Sequence, residues 1–264
     1  MPAKLGIGLP GIGRLGLSGG KTAGGGGGSG PAAGSVAWYD FSSTSYYTLS
    51  DADVTAAVDR SGSGNTLGVL AGMESPHIKT VNGMTGLDCD TPADPGLGIA
   101  EPVAGLTSTT QVHVFIVYQR DEGNYVAGWE NLISYNNAAW GNGWRLFNGK
   151  TPSATLKADV DGYAAGELAP GTATDTGAAV YKILELKWTG GSTELKTRVD
   201  EGAYGTDSSA PASTNYTAAQ LTLGNSMGGG YSAEGTIGEV IIYNEVLSDA
   251  DRNQTRAYLA DKWL

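Results

Sequence analysis

The chain has 264 residues, 42 of them glycine, with 40% hydrophobic and 16% charged residues, which suits one large all-β domain built from many short strands and turns. A formal net charge of −11 repels phosphate backbones and anionic lipid, which argues against nucleic acid or membrane partners. The single cysteine, Cys89, excludes a disulfide scaffold, and only two histidines, His77 and His113, leave little material for a zinc site.

Residues 1–34 differ from the rest of the chain. Leu5, Ile7, Leu9, Ile12, Leu15 and Leu17 alternate loosely with Gly6, Gly8, Gly11, Gly13 and Gly16. That much glycine disfavours a helix and interrupts any signal-peptide core, so synthesis in a host cytoplasm without a signal peptide is expected. An extended arm with an apolar edge for another protein's groove is one reading; a tail without fixed structure is the other. Gly24 to Gly30 form a flexible linker, and the domain is expected from residue 35.

In the opening segment, Asp59-Arg60-Ser61-Gly62-Ser63-Gly64-Asn65 reads as a tight turn: Asp59 and Ser61 bond local amides and the glycines take positive φ. Gln111 to Tyr118 is apolar on both sides of the pleat, a central strand. Residues 123–144 look turn-rich and aromatic, with Tyr125, Trp129, Tyr135, Trp140 and Trp144 among Gly and Asn. Val180 to Trp188 and Glu194 to Val199 form a hairpin pattern. Leu184, Leu186, Trp188, Leu195, Thr197 and Val199 are expected inside; Glu185, Lys187, Glu194, Lys196 and Arg198 are expected outside. Leu221 to Asn225 adds one more strand. In the last thirty residues, Ile237, Val240, Ile241, Ile242 and Tyr243 suit a strand covered on both faces. Ser248 with Asp251 starts a terminal helix, Asp249 and Asp251 favour its N-terminal dipole and Lys262 its C-terminus. Thr255, Tyr258, Leu259 and Trp263 share one helical face.

The ordered run Gly235, Ile237, Glu239 to Asn244, Leu247, Ser248, Arg252, Tyr258, Leu259, Lys262 and Trp263 resembles the C-terminal signature of laminin G-like, concanavalin A-type jelly-roll domains common in phage virion proteins. Val36, Trp38, Asp40, Thr48, Leu49, Val54, Val58, Asp59, Ser61, Gly62, Gly64 and Asn65 resemble the family's opening, and Pro76, Val81, Asn82 and Gly83 a further run. Leu87-Asp88-Cys89-Asp90 departs from the family's Phe-Asp-Gly. The resemblance covers residues 36–264. It implies an all-β, two-sheet jelly-roll sandwich with a short C-terminal helix. It further implies a structural virion protein, a fibre, spike or decoration subunit, with the arm (Leu5, Ile7, Leu9, Ile12, Leu15, Leu17) anchoring it to other virion proteins through residues 1–25. A homo-oligomer, a trimer by family analogy, would then display a lectin-like body for host-surface attachment.

The same fold hosts glycoside hydrolases and polysaccharide lyases, so a carbohydrate-active enzyme is the alternative. Retaining glycosidases place two carboxylates about 5 Å apart. The pairs Asp51/Asp53, Asp88/Asp90 and Asp159/Asp161 lack a third carboxylate and lie beside turn residues, so they read as solvated loop acids. His113 reads as a satisfied core histidine and His77 has no evident partner in sequence. A non-enzyme is therefore expected. Asp40, Asp59, Asn65, Asp88 and Asp90 are candidate Ca²⁺ ligands by analogy with related jelly rolls, against a role in stabilising turns. Trp129, Tyr135, Asn136, Asn137, Trp140 and Asn142 offer the stacking rings and amides that bind sugars, against a role in filling the sandwich.

Overall fold

The computed structural model describes residues 30–90, 94–121, 129–137, 142–148, 155–161, 172–173, 180–216, 218–227 and 230–264. The arm residues Leu5, Ile7, Leu9, Ile12, Leu15 and Leu17 lie outside them, as does Trp140.

Two antiparallel layers face each other. The first runs β1 (Ser35–Asp40), β17 (Gly235–Tyr243), β8 (Gln111–Arg120), β13 (Lys182–Thr189), β14 (Glu194–Val199) and β15 (Gly205–Asp207). The second runs β12 (Thr172–Ala173), β11 (Thr155–Val160), β10 (Gly143–Asn148), β9 (Glu130–Asn136), β16 (Gln220–Leu223), β7 (Leu97–Ile99), β4 (Leu67–Gly68), β3 (Asp53–Ala57) and β2 (Tyr47–Ser50). The hairpin of β5 (His77–Val81) and β6 (Met84–Asp88) joins the layers, because β5 pairs with β3 and β6 with β17. This is the all-β jelly-roll sandwich expected from the sequence.

Alternation along each strand sorts the side chains. Val112, Val114, Ile116 and Tyr118 of β8, Leu184, Leu186 and Trp188 of β13, and Val240 and Ile242 of β17 point between the layers. There they meet Ile133, Tyr135, Trp144, Leu146, Leu156, Ala158, Leu221 and Leu223 of the second layer. The intervening residues of the first layer, Phe115, Val117, Ile183, Ile241 and Tyr243, form a second cluster with Leu247, Leu259 and Trp263. The terminal helix α1 (Asp249–Trp263) covers them. Both β8 and β17 are thus buried on both faces, which is why their sequences are nearly continuous apolar runs.

The helix begins as its sequence predicts: the Ser248 hydroxyl accepts from the Asp251 amide at 3.2 Å and donates to the Asp251 carboxylate at 2.6 Å. Thr255, Leu259 and Trp263 are buried, and Arg256 joins them on that face. The hairpin β13–β14 forms as expected, but Glu185 is fully buried rather than exposed, and Arg198 is only 9% exposed. Alternation alone places Glu185 opposite the core; it does not reveal that α1 covers this second face. The linker end is docked as well: the Ala32 amide donates to Thr255 Oγ1 at 3.1 Å, and the Ala32 carbonyl accepts from the Tyr243 hydroxyl at 2.9 Å.

Trp263 comes so close to β17 that only glycine fits beneath it. A Cβ on Gly238 would lie 2.6–2.9 Å from three atoms of the Trp263 ring. Gly238→Ala is expected to lift the end of α1 and cost about 1–3 kcal/mol, the usual range for overpacking. Urea unfolding of the two proteins measures it; an unchanged midpoint would show that the helix end does not contribute to the cooperative fold.

Candidate functional site

Three groups of polar residues stand out, and the geometry separates them. The first lies under α1. His113 is fully buried; its Nε2 lies 2.8 Å from Glu185 Oε1, and its Nδ1 accepts from the Leu247 amide at 3.3 Å. An accepting Nδ1 fixes the neutral tautomer with its proton on Nε2. Burial lowers the His113 pKa. Burial alone would raise that of Glu185, but hydrogen bonds from His113 and Tyr204 and the charge of Arg256, 3.0 Å away, bring it down to about 2. With neither His113 nor Glu185 exposed, this cluster holds the helix rather than a substrate.

Both shifts make stability depend on pH in the same direction. A folded-state pKa lower than the unfolded one stabilises above the unfolded value and loses that contribution on acidification. For His113 the loss starts as pH falls through 6.5; for Glu185 it runs from 4.5 down to about 2. The urea midpoint is therefore expected to fall in two stages between pH 8 and pH 3. In His113→Gln the upper stage should disappear, and its persistence would assign the fall to other groups.

The second group is the turn after β1. Asp59 accepts from the amides of Trp38, Ser61 and Asn65 at 2.9–3.0 Å and from the Ser61 hydroxyl at 2.9 Å. Asn65 donates to the carbonyls of Val36 and Ala104 and accepts from the Ala104 amide. Gly62 and Gly64 have φ of 87° and 80°. Asp40 is bound by Ser42, Arg60 and Lys262, and Asp88 accepts from the Asp90 amide. The five candidate Ca²⁺ ligands are thus spread over separate turns and ion pairs. Among the described residues no group of three or more His, Cys, Asp or Glu side chains converges to hold a metal. Asp59→Ala, which leaves three amides without this acceptor, is expected to cost about 2–3 kcal/mol in urea unfolding, with no recovery on adding CaCl₂. Recovery by calcium would make the turn a metal site.

The third group lies on the outer face of the second layer. Register places Ser134 of β9 beside Thr222 of β16 and Arg145 of β10, and Arg145 beside Asp159 of β11. The Ser134 and Thr222 hydroxyls are 2.6 Å apart, and the Arg145 guanidinium is paired with Asp159. Asn131 donates to the Asn225 carbonyl at 2.7 Å, while its Oδ1 has no hydrogen-bond partner although the residue is only 2% exposed. At one end stand Trp129 and Phe147, edge to face at 5.2 Å between ring centroids, with Lys157 Nζ 4.7 Å from the Trp129 centroid. Trp129 and Lys157 are half-buried and form the accessible end of the row.

The sequence candidates for sugar binding divide across this sheet. Trp129 and Asn136 are on the outer face. Tyr135 points into the sandwich against Trp144 and Tyr216, and its hydroxyl accepts from the Val103 amide at 3.3 Å. Asn137 and Asn142 close the turn between β9 and β10, the Asn137 amide donating to the Asn142 carbonyl. Asp159, expected as a solvated loop acid, is 5% exposed and ion-paired, whereas Asp161 accepts from the Gly143 amide and the Thr214 hydroxyl in a turn. His77 lies 2.9 Å from Asp53 at the surface. Sequence reasoning missed Ser134, Arg145, Phe147, Lys157 and Thr222, and took Asp159 for a loop acid. Their signal was alternation in Trp144 to Phe147 and Leu156 to Val160, hidden by glycine and asparagine on either side.

No protein-family model matches the chain, and no curated protein does. Solved structures do. An arabinofuranosidase complexed with arabinofuranosyl-alpha-1,2-xylobiose is 13% identical with a TM-score of 0.61, covering 87% of this chain and 63% of that one. A GH54 α-L-arabinofuranosidase soaked with a cyclic sulfate inhibitor is 14% identical with a TM-score of 0.61, with the same two coverages of 87% and 63%. Domain 4 of AbnA, a GH43 extracellular arabinanase from Geobacillus stearothermophilus, in complex with arabinotriose, is 13% identical with a TM-score of 0.55, covering 88% of this chain and all of that one. The fold is one that these carbohydrate-directed proteins share. The chain spans under two thirds of the length of the arabinofuranosidases it matches. These likenesses correct the main functional expectation: nothing in them indicates a phage fibre, spike or decoration subunit. The sequence resemblance tracked the buried strand and lid helix of the sandwich, which packing dictates whatever the function.

Proposed function

We propose that the chain is a carbohydrate-active protein that binds a glycan on the outer face of its second layer. The observation that carries this reading is the row of buried hydroxyl, amide and charged side chains crossing β16, β9, β10 and β11, ending at the half-buried Trp129. A sheet face that only had to meet solvent or a covering segment gains nothing from burying Ser134, Thr222, Asn131, Arg145 and Asp159 together, since each polar group must find a partner. A sugar would meet the row at its accessible end, where the half-buried Trp129 offers a ring, while Ser134 and Thr222, fully buried and bonded to each other, brace the strands behind it. The likeness of fold to arabinofuranosidases and to an arabinanase domain supports the same reading.

Binding is the step that the described residues equip. Hydrolysis is the second reading, favoured by the likeness to arabinofuranosidases along 87% of the chain. Glycoside hydrolysis ordinarily requires two carboxylates flanking the scissile bond. Among the described residues of β9, β10, β11 and β16, the outer face carries one, Asp159, held by Arg145.

Affinity electrophoresis against neutral and acidic polysaccharides tests the reading, with reducing-sugar release measured on every polymer retained. Retardation by at least one polymer is expected, and Trp129→Ala should weaken it about tenfold, the effect of losing one aromatic contact of roughly 1–1.5 kcal/mol. Absence of retardation by every polymer would sink the proposal. Sugar release that is abolished in Asp159→Asn would establish the hydrolase.

A further inference from the structure

We infer that His113 is a latch on the N-terminal end of α1: a proton added to its Nδ1 releases the hinge around Leu247 and the first turn of the helix, while the C-terminal half of α1 stays docked.

The hinge hangs on one acceptor. The Leu247 amide, one residue before the helix cap Ser248, donates to His113 Nδ1 at 3.3 Å. Leu247 is 8% exposed and packs in the apolar cluster beneath the helix. A proton on Nδ1 turns the acceptor into a donor, so two N–H groups face each other where one hydrogen bond stood. The ring cannot turn away. Its Nε2 lies 2.8 Å from Glu185 Oε1, and its face lies on Phe115 with 4.7 Å between centroids and 25° between planes. It is fully buried, so relief comes from the segment that carries Leu247 moving off the strands.

The groups around the ring set the direction. Lys187 of β13 and Tyr243 of β17 flank His113 in register. Burial, Lys187 and Arg252 of α1 disfavour the imidazolium, and Glu185 favours it. Glu185 is itself engaged by Tyr204, by Arg256 and by Arg198 at 3.6 Å, so its charge is divided among several partners. The balance holds His113 below its ordinary value, and the released form takes up the proton more readily as pH falls.

The two ends of the helix are held unequally. Ser248 to Asp251 are exposed, and Thr255 is the first buried residue of the helix. The C-terminal half buries Leu259 and Trp263 and donates to Glu239 through Tyr258, Lys262 and Trp263. Segments with few buried contacts open before the whole chain does. Opening that starts at Leu247 therefore stops near Thr255, where the Ala32 amide is bound to the helix.

Hydrogen exchange of the full chain, read by mass spectrometry and corrected for the intrinsic rate at each pH, tests this between pH 7.5 and pH 5.0. Protection of residues 244–253 is expected to fall about tenfold, against a ceiling of about thirtyfold for a released histidine of ordinary pKa 6.5, while residues 257–263 and strands β9 and β16 keep theirs. His113→Gln, whose amide donates to Glu185 and accepts from Leu247 without titrating, is expected to remove the change. In the unsubstituted protein, nitrogen-15 NMR of the imidazole is expected to show the Nε2–H tautomer at pH 7.5 and a ring titration whose midpoint coincides with that of the local exchange, so the test holds even where the variant misfolds. An Nδ1–H tautomer, ring and exchange midpoints that differ, loss of protection spread evenly over the chain, no loss at all, or a loss that persists in folded His113→Gln would each overturn the inference.

Discussion

Glu239 lies in the middle of β17, fully buried, with its carboxylate on the face turned away from the sandwich core. A carboxylate there costs several kcal/mol unless its oxygens are occupied. Four donors occupy them: Trp38 Nε1 at 2.6 Å, Tyr258 Oη at 2.9 Å, Lys262 Nζ at 2.8 Å and Trp263 Nε1 at 2.8 Å. Three of the four come from α1. Lys262 also reaches Asp40 at 2.7 Å, so one ammonium joins β1, β17 and the helix. Further along the same face Glu185 makes a parallel demand, met by Arg256 of the helix with His113 and Tyr204. The first layer thus carries two buried carboxylates whose partners are completed by the docked helix. Apolar contact through Leu259 and Trp263 supplies affinity for the surface, and the carboxylates set where along the strands the helix sits.

That arrangement sets the two outer faces of the sandwich apart. Once α1 covers the first layer, its outer face is closed and its polar groups are spent on one another. The opposite face of the sandwich has no helix among the described residues, yet it too buries polar side chains in a line across four strands. The two faces therefore use buried polarity differently. Under α1 each charge is matched by an opposite charge or a hydrogen bond from a neighbouring element. On the second layer the line ends at half-buried Trp129 and Lys157 and includes an Asn131 oxygen without a protein partner.

The legibility of each element in the sequence tracks its physics. The strands buried on both faces, β8 and β17, were legible because continuous β-branched and aromatic runs have few other homes. So was the Asp59 turn, where short polar side chains and glycines have specific backbone roles. The strands β9, β10 and β11 were not. Their outward residues, such as Ser134, Arg145 and Asp159, are polar although buried, so the segments read as loop, and the aromatic residues on them were assigned together to one binding surface. A strand sends neighbours to opposite faces; Trp129 and Tyr135, six residues apart with a bulge between them, ended on different sides of the sheet. Glu185 was misplaced for a related reason: alternation identifies a second face but not what covers it. The functional expectation failed because the residues that carried the family resemblance were mostly those that close the sandwich. A closure device is common to proteins that do different things with the rest of the surface.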